Sequence, residues 1–205
     1  MLTFEEQKAR IASGNMYCDF TPELVGARRD AVILTNAYNE LYGKDQEEKR
    51  VDILHKLFHK VGENPFLEPG FRCEFGFNIT VGDDFYANFG CVMLDPGEII
   101  IGDHVLFGPR VGIYTSRHAF DAAERAAGAC FAKPVKIGNR VWIGGGVHID
   151  QGVTIGDDTI IGAGSIITRD IPSGVVAFGS PCRVFREIRE DERTDYFDVL
   201  NGEYR

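Results

Sequence analysis

From Ile137 onward the chain places an isoleucine at every sixth position: Ile137, Ile143, Ile149, Ile155, Ile161 and Ile167. Gly138, Gly144, Gly156 and Gly162 follow four of them, and the fourth residue after each isoleucine is Val141, Val147, Val153, Thr159, Ser165 or Ile171. An amphipathic helix needs apolar residues at alternating spacings of three and four, and a half-buried strand alternates every two. A strict six with glycine in second place fits neither. It predicts short strands joined by sharp glycine turns, each hexapeptide forming one side of a coil. The same register covers Ile101, Phe107 and Ile113, with Gly102 and Gly108 in the turn places. An earlier block, Phe75, Val81, Ala87 and Met93, repeats by six but is two residues out of phase. The slip falls at "DPGE", residues 95–98, where proline and glycine absorb an insertion.

Elsewhere the pattern changes. "FEEQKARIASG", "DAVILTNAYNELYG" and "DQEEKRVDILHKLFHKVG" have helical spacing, the last with Val51, Leu54, Phe58 and Val61 on one stripe. The predicted organisation is therefore an N-terminal helical region over 1–62, closing the open start of a solenoid that runs over 63–182. "RVFREIRE" predicts a C-terminal helix, followed by a tail, within 183–205. Between Ser116 and Pro134 the repeat vanishes, and Arg117 stands where a coil expects valine or serine. A loop is expected to leave the scaffold over 116–134, and loops thrown from rigid scaffolds often carry function.

Composition narrows the function classes. A length of 205 residues suits one ordinary domain. A net charge of −9 argues against nucleic acid or an anionic membrane as the main partner, so a phosphate-bearing ligand needs a local cluster of arginines. No apolar run is long enough for a bilayer, and "MLTFEEQKAR" lacks the plan of a signal peptide. Cys18, Cys73, Cys91, Cys130 and Cys182 form no CxxC pair and read as reduced, mostly core thiols of a cytoplasmic protein.

The segments "GNMYCDF", "VGENPFLEPGFRCEFGFNITVGDDFYANFGCVMLD" and "KPVKIGNRVWIGGGVHIDQGVTIGDDTIIGAGSIITRDIPSGVVAFGSPCRVFREI" add specificity to the repeat. Together with the looped histidine they resemble the maltose and galactoside O-acetyltransferase family, with nodulation-factor acetyltransferases as a similar branch. The resemblance covers about residues 5–190. It implies a mainly β fold, a left-handed parallel β-helix, assembled as a homotrimer with each active site between two solenoids. It also implies acetyl-CoA as donor, a sugar or similar small hydroxyl compound as acceptor, and no metal.

The residue roles follow from the same resemblance. His118 is the general base, suited because an imidazole titrates near working pH; the family's usual proline after it is Ala119 here. Asn88 in "FYANF" would stabilise the oxyanion. Asp19, Arg28, Glu74, Tyr86 and Asp95 would bind the acceptor; Glu74 stands where some relatives carry serine or aspartate, and Pro96 replaces an aspartate of the galactoside branch. Gly145, Ala163, Thr168, Arg169, Arg183 and Arg186 would bind CoA, the arginines at its phosphates.

Three rival readings compete. A γ-type carbonic anhydrase would need a histidine metal site from His104, His118 and His148, whose spacing is wrong, or from His55 and His59, one turn apart on a predicted helix. Cys130 is the candidate nucleophile for an acyl-enzyme route. A non-catalytic trimeric scaffold or binding module is the remaining alternative.

Overall fold

The computed structural model describes residues 2–194 and Tyr196. Short parallel strands stack into a solenoid with three faces. The first face holds Lys60–Val61, Ile79–Val81, Ile99–Ile101, Val135–Ile137 and Thr154–Ile155. The second holds Phe66–Leu67, Tyr86–Ala87, Leu106–Phe107, Trp142–Ile143, Ile160–Ile161 and Val175–Gly179, closed by Cys182–Glu187. The third holds Arg72–Cys73, Val92–Leu94, Gly112–Tyr114, His148–Asp150 and Ile166–Ile167. The isoleucines of the six-residue repeat point inward as buried columns, such as Ile113 against Ile149 and Ile149 against Ile167.

The register explains the slip in the repeat. Ile137 pairs with Ile155, whereas Val61 pairs with Val81 and Val81 with Ile101, so the first coils are two residues longer than the later ones. The extra residues sit at one corner, between the third face and the first, at residues 74–78 and 95–98. The 116–134 excursion leaves from that corner one coil later. Phe75 therefore does not belong to the inward column as the sequence pattern suggested. Cys73 takes that place opposite Met93, and Phe75 joins a smaller core outside the solenoid.

The glycine in second place does a different task from the one its spacing suggested. The left-handed residue at the corner between the first and second faces is Asn64, Asp84, His104, Arg140 or Asp158, with φ between 52° and 56°. The preceding glycine is needed because the next coil is too close. A Cβ on Gly138 would lie 2.7 Å from the nitrogen of Asp157, and one on Gly102 would lie 2.8 Å from the carbonyl carbon of Gly138. Between them runs a ladder of side-chain acceptors. The Asp83 carboxylate takes the N–H of Glu63 at 2.7 Å, Asp103 that of Asp83 at 2.9 Å, and Asn139 that of Asp103 at 2.9 Å. The coil has no intrastrand hydrogen bonds, so these corner amides find partners only in the next turn.

Three helices cover the start of the solenoid: α1 (Phe4–Ala12), α2 (Pro22–Glu40) and α3 (Glu47–Leu57). Leu67 is where they lock on. The Tyr38 hydroxyl donates to the Leu67 carbonyl at 2.9 Å and accepts its N–H at 3.1 Å, while the buried Arg50 guanidinium donates to the same carbonyl. The third helix is shorter than its stripe predicted. Phe58 turns extended with ψ 154°, its N–H still donating to Leu54, so His59 leaves the helix and Val61 begins the first coil. His55 and His59 are consequently not one helical turn apart.

At the other end the expected helix over "RVFREIRE" is a strand. Cys182–Glu187 pairs antiparallel with Val175–Gly179, Phe178 opposite Arg183 and Val176 opposite Arg186. An unpaired last coil would expose a row of backbone donors and acceptors, and folding the chain back covers that row on the second face. The part of the predicted tail at residues 195 and 197–205 lies outside the described residues.

Coil stacking predicts opposite outcomes for two Gly→Ala changes. Gly138→Ala should lower stability by about 1–3 kcal/mol through forced separation of two coils. Gly26→Ala, in α2 where a Cβ meets nothing within 4 Å, should raise it by about 0.5–1 kcal/mol. Chemical denaturation midpoints check both.

Candidate active site

The 116–134 excursion is a built element. Ser116–His118 and Ala129–Ala132 form an antiparallel pair joined by α4 (Ala122–Ala126), whose N-cap Asp121 accepts the N–H groups of Ala123 and Glu124 at 2.9 Å. Tyr17–Cys18 adds a third strand, so the N-terminal segment holds the hairpin in place. Beneath them Ile11, Tyr17, Leu24, Phe75, Cys130 and Ala132 make a separate small core. Ala119 is buried and its N–H donates to the Ala129 carbonyl at 2.9 Å. A proline there could not make this bond. Arg117 lies over both Phe120 and Phe131, 4.5 Å from each ring centre, which gives a cation a place where the coil pattern would have an aliphatic.

His118 is exposed at the end of its strand, directly opposite Cys130, with Nδ1 3.1 Å from the Cys130 sulfur. Cys130 in turn faces Tyr17 across the next pair, so Tyr17, Cys130 and His118 form one row of the small sheet. The Tyr17 hydroxyl is buried and has no hydrogen-bond partner among the described residues. Burial, then the carboxylate of Asp19, raises its pKa.

Beside this row lies the polar cluster. Arg28, from α2, pairs with the Asp19 carboxylate, donates to the Asp19 carbonyl at 2.9 Å and donates through Nε to Glu74 at 2.8 Å. Its guanidinium also stacks 5.1 Å over Phe75. Glu74 titrates at about 7: burial dominates, and the carboxylates of Asp19 and Asp95 add to it against the pull of Arg28. Asp95 is wholly buried and braces the corner that carries Glu74, accepting the N–H groups of Glu74, Phe75 and Asn78 at 3.2, 2.8 and 3.3 Å. Burial pushes the Asp95 carboxyl up while those N–H groups pull it down. Tyr86 lies apart on the outside of the second face, stacked on Phe66 with its hydroxyl donating to Glu68 at 3.3 Å.

The remaining expected residues divide between corners. Asn88, Gly145 and Ala163 lie at the corner between the second and third faces. There Gly146 donates to Pro109 at 2.8 Å and Gly164 to Gly145 at 2.9 Å, stacking the glycine-rich turns. The Asn88 side-chain oxygen accepts the Phe89 N–H at 2.8 Å. Arg183 is opposite Phe178 beside the last of these turns. Thr168 and Arg169 are exposed at the far corner, the one His118 leaves from. Arg186 is already engaged, its fork held by both oxygens of Glu192 at 2.6 Å, and that pair holds the Glu192 carboxyl down at about 2. Sequence reasoning gave no role to Tyr17 or Glu192, and it met Cys130 as a reduced thiol and a candidate nucleophile, never as a partner of His118. The antiparallel register that aligns these residues has no signature in the repeat.

His104 pairs with Asp84 at 3.2 Å and His148 with the Tyr114 hydroxyl at 3.1 Å. Among the described residues no three His, Cys, Asp or Glu side chains gather as metal ligands.

Residues 134–169 match the family described as bacterial transferase hexapeptide (six repeats), and residues 10–62 match the maltose acetyltransferase hexapeptide capping motif. The coils and the helical cap thus define a hexapeptide-repeat acyltransferase. The galactoside O-acetyltransferase of Escherichia coli K12 is 41% identical over 92% of this chain and 92% of its own. The crystal structure of a maltose O-acetyltransferase from Clostridium difficile 630 superposes with a TM-score of 0.86 at 47% identity, covering 90% of this chain and 98% of that one. A galactoside acetyltransferase in complex with coenzyme A gives 0.85 at 40% identity, over 91% and 92%. The chain belongs to the maltose and galactoside O-acetyltransferase family.

Glu74 makes the cluster pH-sensitive. Its folded pKa, about 7, lies above the ordinary value of 4.5, so the folded state holds a proton that the unfolded chain releases between those values. Stability contributed by the protonated form is full below about 4.5 and declines as pH rises to about 7. Glu74→Gln should flatten that leg of the stability–pH curve, read from thermal melts between pH 4.5 and 7.5.

Proposed function

We propose that the protein transfers acetyl from acetyl-CoA to a hydroxyl of a sugar or similar small acceptor, in a homotrimer whose sites lie between neighbouring solenoids. The observation that carries this reading is the division of the site residues over two corners. His118 and the Arg28 cluster occupy one edge of the third face, and Asn88, Gly145, Ala163 and Arg183 occupy the other. A second copy, docked edge to edge, would bring the two halves together. The second face supports such docking, because its outer column of Phe66, Tyr86, Leu106, Trp142 and Ile160 is apolar, with Leu106 and Trp142 about half exposed.

The chemistry is direct transfer. His118 Nε2 takes the hydroxyl proton as that oxygen attacks the thioester carbonyl. The oxyanion of the tetrahedral intermediate accepts from the Asn88 amide, whose own oxygen is occupied by Phe89. Collapse breaks the C–S bond, and the imidazolium returns its proton to the departing sulfur, giving the acetyl ester and free CoA. Arg28 is fixed by two carboxylates and a carbonyl, so it can orient the acceptor without adding a net positive charge. Burial, with Asp19 and Glu74 beside it, holds the Cys130 thiol up at about 11, which weighs against an acyl-enzyme. Arg183 and Arg186 are the partners for CoA phosphates, and the fork that binds Glu192 is the one a phosphate would take. Thr168 and Arg169 extend the cofactor contacts at the other corner.

His118→Ala should lower kcat by roughly 10²–10⁴-fold with acetyl-CoA binding retained. Near-normal turnover, or acetyl label left on Cys130, would reject the mechanism. Mixing His118→Ala and Asn88→Ala chains, each inactive alone, should restore activity if sites form between copies; failure of refolded mixed trimers to recover any would place both residues in one subunit's site. Replacing Arg183 and Arg186 together with alanine should raise KM for acetyl-CoA more than for the acceptor, because phosphate contacts far from the thioester bind substrate and transition state alike. An unchanged acetyl-CoA KM would remove them from the site.

A further inference from the structure

A histidine can serve as a base through Nε2 only if its proton resides on Nδ1, and the partner of Nδ1 decides which tautomer prevails. Among the described residues the Cys130 sulfur is the one side-chain atom bonded to the His118 ring, at 3.1 Å from Nδ1. That sulfur is not free to wander. Cys130 is 3% exposed and sits in the central strand of the three-stranded sheet, with His118 as its Cα partner on one side and Tyr17 on the other. Its charged and titratable neighbours are Asp19 and Glu74, which disfavour a thiolate, Arg28, which favours one, and Cys18. The sulfur is therefore a neutral thiol at working pH.

A thiol and an imidazole can share one hydrogen in two ways. If S–H donates to Nδ1, the ring proton is on Nε2 and the imidazole cannot take a proton from the acceptor. If Nδ1–H donates to sulfur, Nε2 carries the lone pair that general-base catalysis requires. Resting on the reading of His118 as base, we propose that Cys130 is its positioning residue: the sulfur accepts the Nδ1 proton, fixes the Nε2-basic tautomer and aims the ring outward from the hairpin. Cys130 takes no part in bond making, and no acetyl group reaches it. Sulfur is a weak acceptor. It orients the ring without bringing the negative charge that a carboxylate would bring. The orienting partner is neutral, so the imidazolium of the transition state gains no ion pair from it.

Three measurements separate this from a packing role. In the wild-type protein, ¹⁵N NMR of the His118 ring at a pH above its titration should show Nδ1 protonated and Nε2 bare; a ring protonated on Nε2 overturns the proposal without any variant. Cys130→Ala should lower kcat by about 10–100-fold, the range known for loss of such a partner at metal-bound histidines, with KM for acetyl-CoA unchanged, and Cys130→Ser should restore most of it because a hydroxyl also accepts from N–H. Equal activity in the alanine, serine and wild-type proteins overturns it. Cys130→Asp should move the acid limb of the kcat/KM pH profile upward by about one unit or more, since a carboxylate favours the imidazolium; an unmoved limb in a folded, CoA-binding Cys130→Asp protein overturns it too. These outcomes are distinct from failure of the general-base reading, which His118→Ala reports by itself.

Discussion

The structure depends on one spacing, the close approach of successive coils. Every strand is only two to six residues long, so no strand is stable alone, and its backbone groups are satisfied by the turns above and below. Where coils touch at the corner between the first and second faces, a side chain at the second repeat position would enter the next coil's backbone, as at Gly102 and Gly138. The acceptor ladder through Asp83, Asp103 and Asn139 then takes the N–H groups that the bend leaves over. The stack is rigid at that corner and has slack only at the one between the third and first faces, where the early coils already carry extra residues.

That slack corner carries His118 and the buried polar cluster of Arg28, Asp19 and Glu74. The excursion at 116–134 grows from it, Asp95 braces the turn below, and Glu74 emerges from that turn toward Arg28. The N-terminal strand Tyr17–Cys18 pairs with the hairpin and gives it a core of its own. A loop supported on both sides can hold a side chain in one place, which a catalytic group needs. The same burial that stiffens the cluster also sets its charge states. Removing water raises Glu74 to about 7 and the Cys130 thiol to about 11, and it raises Asp95 against its own hydrogen bonds.

Charge is managed locally in an acidic molecule. Arg28 is neutralised by two carboxylates, Arg140 by Asp158, and Arg186 by Glu192. An anion approaching Arg186 meets a fork already filled, so its binding is an exchange of one anion for another. Arg183, by contrast, has its guanidinium bonded, among the described residues, only to the backbone carbonyl of Cys182.

The six-residue isoleucine period was enough to determine the solenoid, because inward columns at fixed spacing admit no helix and no simple strand. It also marked where the scaffold breaks, since Arg117 cannot occupy an inward place. The resemblance to a known family pointed to His118, Asn88 and the arginines. Local pattern misjudged the ends: "RVFREIRE" has the spacing of a helix, but the open edge of the last coil draws it into a strand, and the third helix stops at Leu57 because Val61 is claimed by the first coil. The partner of His118, the place of Phe75 and the proton held by Glu74 were decided only by tertiary structure. Each depends on which residues an antiparallel register and burial bring together across the chain. Repeat spacing encodes contacts between neighbouring coils and carries no record of contacts made by the segments that leave them.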